Sequence, residues 1–312
     1  MTFEDGQWLE GYFVRGVLHG FVRRFDGKGR LKFIGNHRNG VPFGVCWRVI
    51  RGGGAVVGRV NSKGQLTGMR ITYLYPDFKT AFLGSFEDGI LESAQAVTLR
   101  SVIDDRGVKI PLFSEPKGPM YKRDISDYDH VTYQPLLPDP YETVTIKVTN
   151  SKVPGANDGL FAHRSIEPNT ILAFYNGIRL YPDKAIDLPN WDDNAYRIFD
   201  PTRKNGTIDI PRENIDTANY CASSAHKTNH SFMPNAELVI FDHPRFGLVP
   251  SVLSTHDIEA GEEIFAHYGY DLDNCPEWYE NAWQSGDYPV PKSFKEWYIN
   301  EEEKAGIPLD KI

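Results

Sequence analysis

Between Tyr220 and Tyr270 the chain gathers residues with little reason to share an ordinary core. In CASSAHKTNHSFMPNAEL (221–238), Asn229, His230 and Asn235 bring amide and imidazole groups, and Pro234 restricts the backbone just ahead of Asn235. Such a loop suits the holding of something polar. GEEIFAHYGYD (261–271) reads as a turn into a strand, on which Tyr268 and Tyr270 are two apart and share a face. Two hydroxyls are then expected to point the same way.

NHSFMPN followed by EEIFAHYGYD resembles the paired signature of SET-domain protein-lysine methyltransferases, and GLFAHRSIEPNTILAFYNG (159–177) resembles the start of that domain. With LLPDPYE (136–142) and the glycine repeats described below, the chain is similar to the MORN-repeat type of that family. The resemblance implies a mainly β fold: an N-terminal MORN-repeat β-hairpin roll, a SET-domain β-fold whose C-terminal segment is threaded as a pseudoknot, and C-terminal helices. The divisions expected are 1–100 for the repeats, 101–140 for a connecting segment, 141–275 for the SET domain and 276–312 for the helical end.

The activity implied is S-adenosylmethionine-dependent methylation of a lysine side-chain amine, in histone H3 and other proteins, chiefly to monomethyl-lysine. An unperturbed lysine with a pKa of about 10.4 is almost wholly protonated at neutral pH, so the site must help it lose a proton. A nearby sulfonium and a partly desolvated channel both disfavour the ammonium. Tyrosines suit such a channel, their rings making narrow apolar walls and their hydroxyls aiming the amine. By resemblance Tyr268 is the principal catalytic tyrosine, Tyr175 in FYNG a second wall, and Tyr270 a residue of the lysine-access side.

For the methyl donor, the resemblance points to Asn229 and His230, to His226 and Lys227 just before them, to Ala156 and Asp158 of the glycine-rich loop, and to Trp278 over the adenine. Asp158 departs from the longer glutamate of relatives. Asp187 and Trp191 match positions beside the peptide groove, and Leu238 falls where MORN-type relatives carry a tyrosine that limits the product. Taken alone, Tyr175 also reads as a packed strand aromatic, and Trp278 as helix core with Tyr279 and Trp283. Cys221, His226 and His230 have separations a zinc site could use, but no paired cysteines accompany them, and no metal is expected.

The 312 residues carry 34 Lys plus Arg against 42 Asp plus Glu, a net charge of −8. That balance disfavours direct nucleic-acid binding and suits basic protein or peptide partners such as histone tails. Three well-separated cysteines fit neither a disulfide framework nor a paired-thiolate site, so a reducing compartment, nuclear and cytoplasmic, is expected. Neither a signal peptide nor a membrane span is evident, and a monomer is expected.

Gly11–Gly20, Gly35–Gly44, Gly58–Gly68 and Gly84–Ser93 share one glycine template, which predicts successive hairpins. The run Arg51–Gly58 lacks the last glycine of a nucleotide loop and reads as a hairpin tip. Strands are expected at 143–149, 170–175, 236–243, 248–254 and 263–270, with helices after Pro276 and after Ser293. A rival reading keeps the repeats as a scaffold that binds a partner or membrane surface beside a catalytically idle SET domain.

Overall fold

The computed structural model describes residues 1–50, 54–105, 108–181, 194–200, 202, 206–270, 272 and 275–285. The chain opens as a meander: β1 (Trp8–Val14), β2 (Val17–Phe25), β3 (Leu31–Arg38), β4 (Val41–Val49), β5 (Ala55–Val60), β6 (Gly68–Leu74), β7 (Thr80–Glu87) and β8 (Ile90–Asp105) each pair antiparallel with the next. Two-residue turns close three of the hairpins, Arg15-Gly16, Asn39-Gly40 and Asp88-Gly89, with every φ between 48° and 84°. These are the positive dihedrals that a right-twisted hairpin selects, and they lie at the midpoint of the glycine template.

The sheet continues past residue 100, where the sequence suggests a connector. β9 (Val108–Phe113) folds back on β8, and β10 (Met120–Tyr121) pairs further along β8, across from β7, through Met120↔Gln95 and Tyr121↔Ala94. Turn-forming residues are dense in this stretch and mask its two short extended runs. Tyr121 and Val131 then join a core shared by the sheet (Ile71, Tyr75, Phe82) and the C-terminal half (Phe174, Phe241, Phe246). At its centre Tyr75 donates its hydroxyl to Asp139 at 2.6 Å and lies 3.0 Å from His243 Nε2, which contacts the same carboxylate.

Asp139 also takes the first three residues from the strand expected at 143–149. Its carboxylate accepts from the amides of Tyr141 and Glu142 at 2.9 and 3.2 Å, which turns Glu142–Thr145 into a short helix, α1. The strand that follows is β11 (Ile146–Asn150), paired with β12 (Asp158–Ala162) across the glycine-rich loop. β13 (Ile171–Phe174) comes next, and then β14 (Ile178–Leu180), β15 (Ile198–Asp200) and β16 (Gly206–Asp209) form a small sheet.

The last sheet joins β13 to β17 (Asn229–His230), β18 (Ala236–His243), β19 (Gly247–Ser254) and β20 (Phe265–Ala266) in the order β13-β19-β18-β20-β17. β18 and β19 lie where alternation places them. β20 holds two residues rather than the eight expected at 263–270, and it runs parallel to β17. The C-terminal helix α2 (Glu277–Ser285) starts just after Pro276 as expected. The helix expected after Ser293 lies outside the described residues, as do Asp187 and Trp191.

Candidate active site

The site is assembled by side-chain amides. Asn235 Nδ2 donates to the Glu263 carbonyl at 2.9 Å, and its Oδ1 accepts from the Phe265 amide at 2.8 Å. This fastens the 263–266 segment beside β17, where main-chain pairing alone covers only Asn229↔Phe265 and His230↔Ala266. Asn229 Nδ2 lies 3.0 Å from Ser151 Oγ, 2.9 Å from the Asp158 carbonyl and 3.0 Å from Glu263 Oε1, so it ties β17 to the glycine-rich loop.

Glu263 completes this clasp, and sequence reasoning missed it. Its buried carboxylate accepts from Ser151 Oγ at 2.6 Å and from the Lys152 amide at 3.1 Å, as well as from Asn229. Three donors converging on one buried acid satisfy it without an ion pair. The side chain passes so close to Gly159 that a Cβ there would collide with its Oε1. The signal was present in that glycine, but a GEE turn alone reads as surface.

Tyr268 is clamped at both ends onto the segment before and within β17. Its amide donates to His230 Nδ1 at 3.1 Å, and its hydroxyl donates to the Thr228 carbonyl at 2.9 Å. The chain leaves strand geometry after Ala266, and Gly269 has a φ of 68°. Tyr268 and Tyr270 therefore do not share a strand face. They meet edge to face, ring centroids 5.8 Å apart, and both line one cavity of about 490 Å³.

Tyr175, His226, Leu238 and Phe199 line the same cavity. Tyr175 follows β13, its hydroxyl donating to the Tyr196 carbonyl, and the amide of its neighbour Phe174 donates to buried Glu142 at 2.7 Å. Leu238 stands on β18 and is 42 % exposed, so its side chain bounds open space rather than core. Tyr196 and Phe199 were not picked out from sequence. Their only signal was the aromatic alternation in AYRIF, next to an acidic stretch that reads as loop.

The electrostatics of this cavity suit an amine more than an ammonium. Among the described residues no carboxylate lines it, and the guanidinium of Arg197, which does, is held by Asp209 at 3.1 Å. Burial lowers His226 to about 3, with the Lys227 charge helping, and lowers His230 likewise to about 3, so both rings are neutral. Burial raises the Tyr268 and Tyr175 hydroxyls well above their usual value and keeps them protonated. A cationic side chain entering here loses water, and among the described lining residues it meets no carboxylate.

Of the residues expected around a methyl donor, His226 lines the tyrosine cavity, while Lys227, Asp158 and Trp278 lie around Asn229 and His230. Lys227 is buried with its Nζ 2.7 Å from Asp158 Oδ2, a pairing that occupies both residues. Ala156 is half-buried in the loop between β11 and β12. Trp278 lies 5.8 Å from the His230 ring and 6.3 Å from those of Tyr268 and Tyr270, with 46 % of its surface exposed, whereas Tyr279 at 2 % is the buried face of α2. Two buried atoms here, His230 Nε2 and Thr228 Oγ1, have no hydrogen-bond partner among the described residues. Orphaned polar atoms around a half-open aromatic suit a polar, flat ligand. Among the described residues no group of three or more His, Cys, Asp or Glu side chains is placed to hold a metal ion.

Comparison with known proteins identifies the family. Residues 37–108 match the family described as the N-terminal part of the histone H3 K4-specific methyltransferase SET7, and residues 157–269 match the SET domain. The histone-lysine N-methyltransferase SETD7 of Halocynthia roretzi is 35 % identical over 268 residues, a stretch covering 82 % of this chain and 68 % of that protein. Among solved structures, ctPRC2 in an autoinhibited conformation bound to S-adenosylmethionine is 20 % identical with a TM-score of 0.32, over 46 % of this chain and 17 % of that one. An active polycomb repressive complex 2 in the basal state is 21 % identical with a TM-score of 0.30, over 40 % and 15 %. Likeness at those TM-scores carries no argument. The two family matches and the relative suffice: the chain belongs to the SET7-type family of SET-domain methyltransferases.

Proposed function

We propose that the protein is an S-adenosylmethionine-dependent histone-lysine methyltransferase, working on a lysine that enters the tyrosine-lined cavity. The observation that carries this reading is the carboxylate-free cavity walled by Tyr175, Tyr268 and Tyr270, next to the clasp at Asn229. Bringing a lysine from its usual pKa of about 10.4 to near neutrality costs roughly 4–5 kcal/mol. Desolvation against aromatic walls with no counterion supplies a shift of that order without a strong base. The amine is then held in one approach direction by the three rings, and such orientation is worth roughly 7–11 kcal/mol of barrier.

Asn229, His230, Lys227, Asp158, Ala156 and Trp278 are the residues we assign to the methyl donor. When bound, S-adenosylmethionine supplies an electrophilic methyl group. Tyr268 acts from its clamp on Thr228 and His230 as the wall nearest the reacting amine, Tyr175 faces it, and Tyr270 guards the access side. His226 sits in the cavity wall, and we assign its neutral ring to closing the inner end against water. We divide the chain into a repeat sheet that runs past residue 100 to β10, a segment from there to residue 140, a 141–275 catalytic unit and the 276–312 end. A histone substrate implies work in the nucleus.

The product is assigned as monomethyl-lysine with slow dimethylation, because Leu238 offers no hydroxyl to fix the amine. Incubation with a single-lysine histone H3 peptide and S-adenosylmethionine, followed by mass spectrometry and a calorimetric titration of the methyl donor, tests the reading. Saturable binding with a gain of one methyl group per peptide is expected. No binding of the methyl donor would instead favour the idle-scaffold alternative.

A further inference from the structure

Away from the catalytic cavity, the N-terminal sheet holds a second cavity of about 210 Å³. Its register explains how it is built. Arg24 on β2 pairs with Phe33 on β3, Phe33 with Arg48 on β4, and Arg48 with Val56 on β5, so two arginines flank one aromatic ring across three adjacent strands. All four residues line the cavity, together with His37 and Leu66. Strand spacing of about 4.8 Å puts the two arginine strands roughly 10 Å apart, a gap that two guanidinium groups can close from opposite sides.

Three features set this cavity apart from an ordinary dimple. Neither Arg24 nor Arg48 has an ion pair or side-chain hydrogen bond among the described residues, although the neighbouring Arg23 pairs with Glu10 and Arg30 and Lys32 with Asp26. No carboxylate is among the lining residues. His37 is 5 % exposed, yet its Nδ1 has no hydrogen-bond partner among the described residues. Burial, and after it the charge of Arg24, lowers the His37 pKa and keeps the ring neutral, able to present one N–H.

We propose that this cavity binds a small organic oxyanion, a carboxylate or phosphomonoester, clamped between Arg24 and Arg48 with its apolar body against Phe33 and the His37 ring. Arginine forks recognise both oxyanions in the same planar way, while the apolar walls require a carbon body. At roughly 30 Å³ per water in the liquid, the space equals about seven waters, which suits a single small ring.

The test is a thermal-shift titration on the full chain with saturation-transfer NMR, using phenyl phosphate, phenylacetate, inorganic phosphate and benzyl alcohol as probes. A saturable stabilisation by one of the two aryl oxyanions is expected, and which one binds tells phosphate from carboxylate. Arg24→Ala and Arg48→Ala, both at exposed positions, should each weaken that probe roughly tenfold while the unliganded melting temperature stays put. The proposal is overturned by no saturable response to either aryl oxyanion, by equal binding of benzyl alcohol or inorganic phosphate, or by unchanged affinity in the double variant.

Discussion

The N-terminal sheet and the catalytic site use opposite ways of holding a chain in place. In the sheet each strand pairs with its sequence neighbour from β1 to β8, and tight glycine turns set the register. In the site, two-residue strands run parallel across a separation of 36 positions, Asn229 to Phe265, and Asn229, Asn235 and Glu263 fasten them with side chains. Local turn chemistry is cheap and repeatable, so a lost turn is absorbed by the strands around it. A side-chain clasp closes a long loop with a few bonds, so a lost member leaves buried donors without acceptors.

That contrast ranks the expected effects of substitution. Glu263→Ala strips the acceptor from Ser151, Lys152 and Asn229 together, and should cost about 2–4 kcal/mol in a urea unfolding series, with weaker binding of the methyl donor. Glu142→Gln probes the support behind Tyr175. Burial first, and the Asp139 charge second, push the Glu142 carboxyl up to about 8 from its ordinary 4.5. A raised folded-state value means that the stabilisation is full below about 4.5 and is lost as pH rises through about 8. The natural protein should therefore lose about 1–3 kcal/mol between pH 5 and 8 that the Gln variant keeps, as read from melting temperatures across that range.

Smaller effects belong to the sheet and to the cavity rim. Gly40→Ala forces a side chain into a φ of 81° in a hairpin turn and should cost about 1 kcal/mol in the same urea series, with methyl transfer unchanged. A loss as large as that of Glu263→Ala would erase the distinction between the two regions. Leu238→Tyr adds a hydroxyl at an exposed cavity wall, and one hydrogen bond of about 0.5–1.5 kcal/mol should suppress the second methylation severalfold relative to the first. Mass spectrometry of the mono- and dimethyl products decides that.

The same contrast accounts for what could be read in advance. Asn39-Gly40 and Asp88-Gly89 announce their hairpins by composition, and AELVIFDH announces β18 by alternation, so the sheet and the middle of the last sheet were legible. NHSFMPN and HYGY marked the site through the residues that cannot serve a core. What stayed hidden was set by contacts distant in sequence. The strand expected to reach Tyr270 stops at Ala266, and Tyr268 is tied instead to His230 and Thr228. Asp139 turns Glu142–Thr145 into helix, and nothing in GEEIF tells that Glu263 is buried. Phe199 becomes a cavity residue through its place on β15, and Tyr196 meets the site through its carbonyl, which accepts from the Tyr175 hydroxyl.

Methyl transfer by Tyr268→Phe bears most directly on the tyrosine-walled cavity. The substitution removes one hydroxyl, donated to the Thr228 carbonyl, and leaves the ring in place. Single-turnover transfer to a lysine peptide, measured beside the affinity for S-adenosylmethionine and the melting temperature, should fall by about a hundredfold or more, with affinity and melting temperature near those of the natural protein. Normal turnover in this variant would contradict the assignment of Tyr268 as the wall that positions the reacting amine.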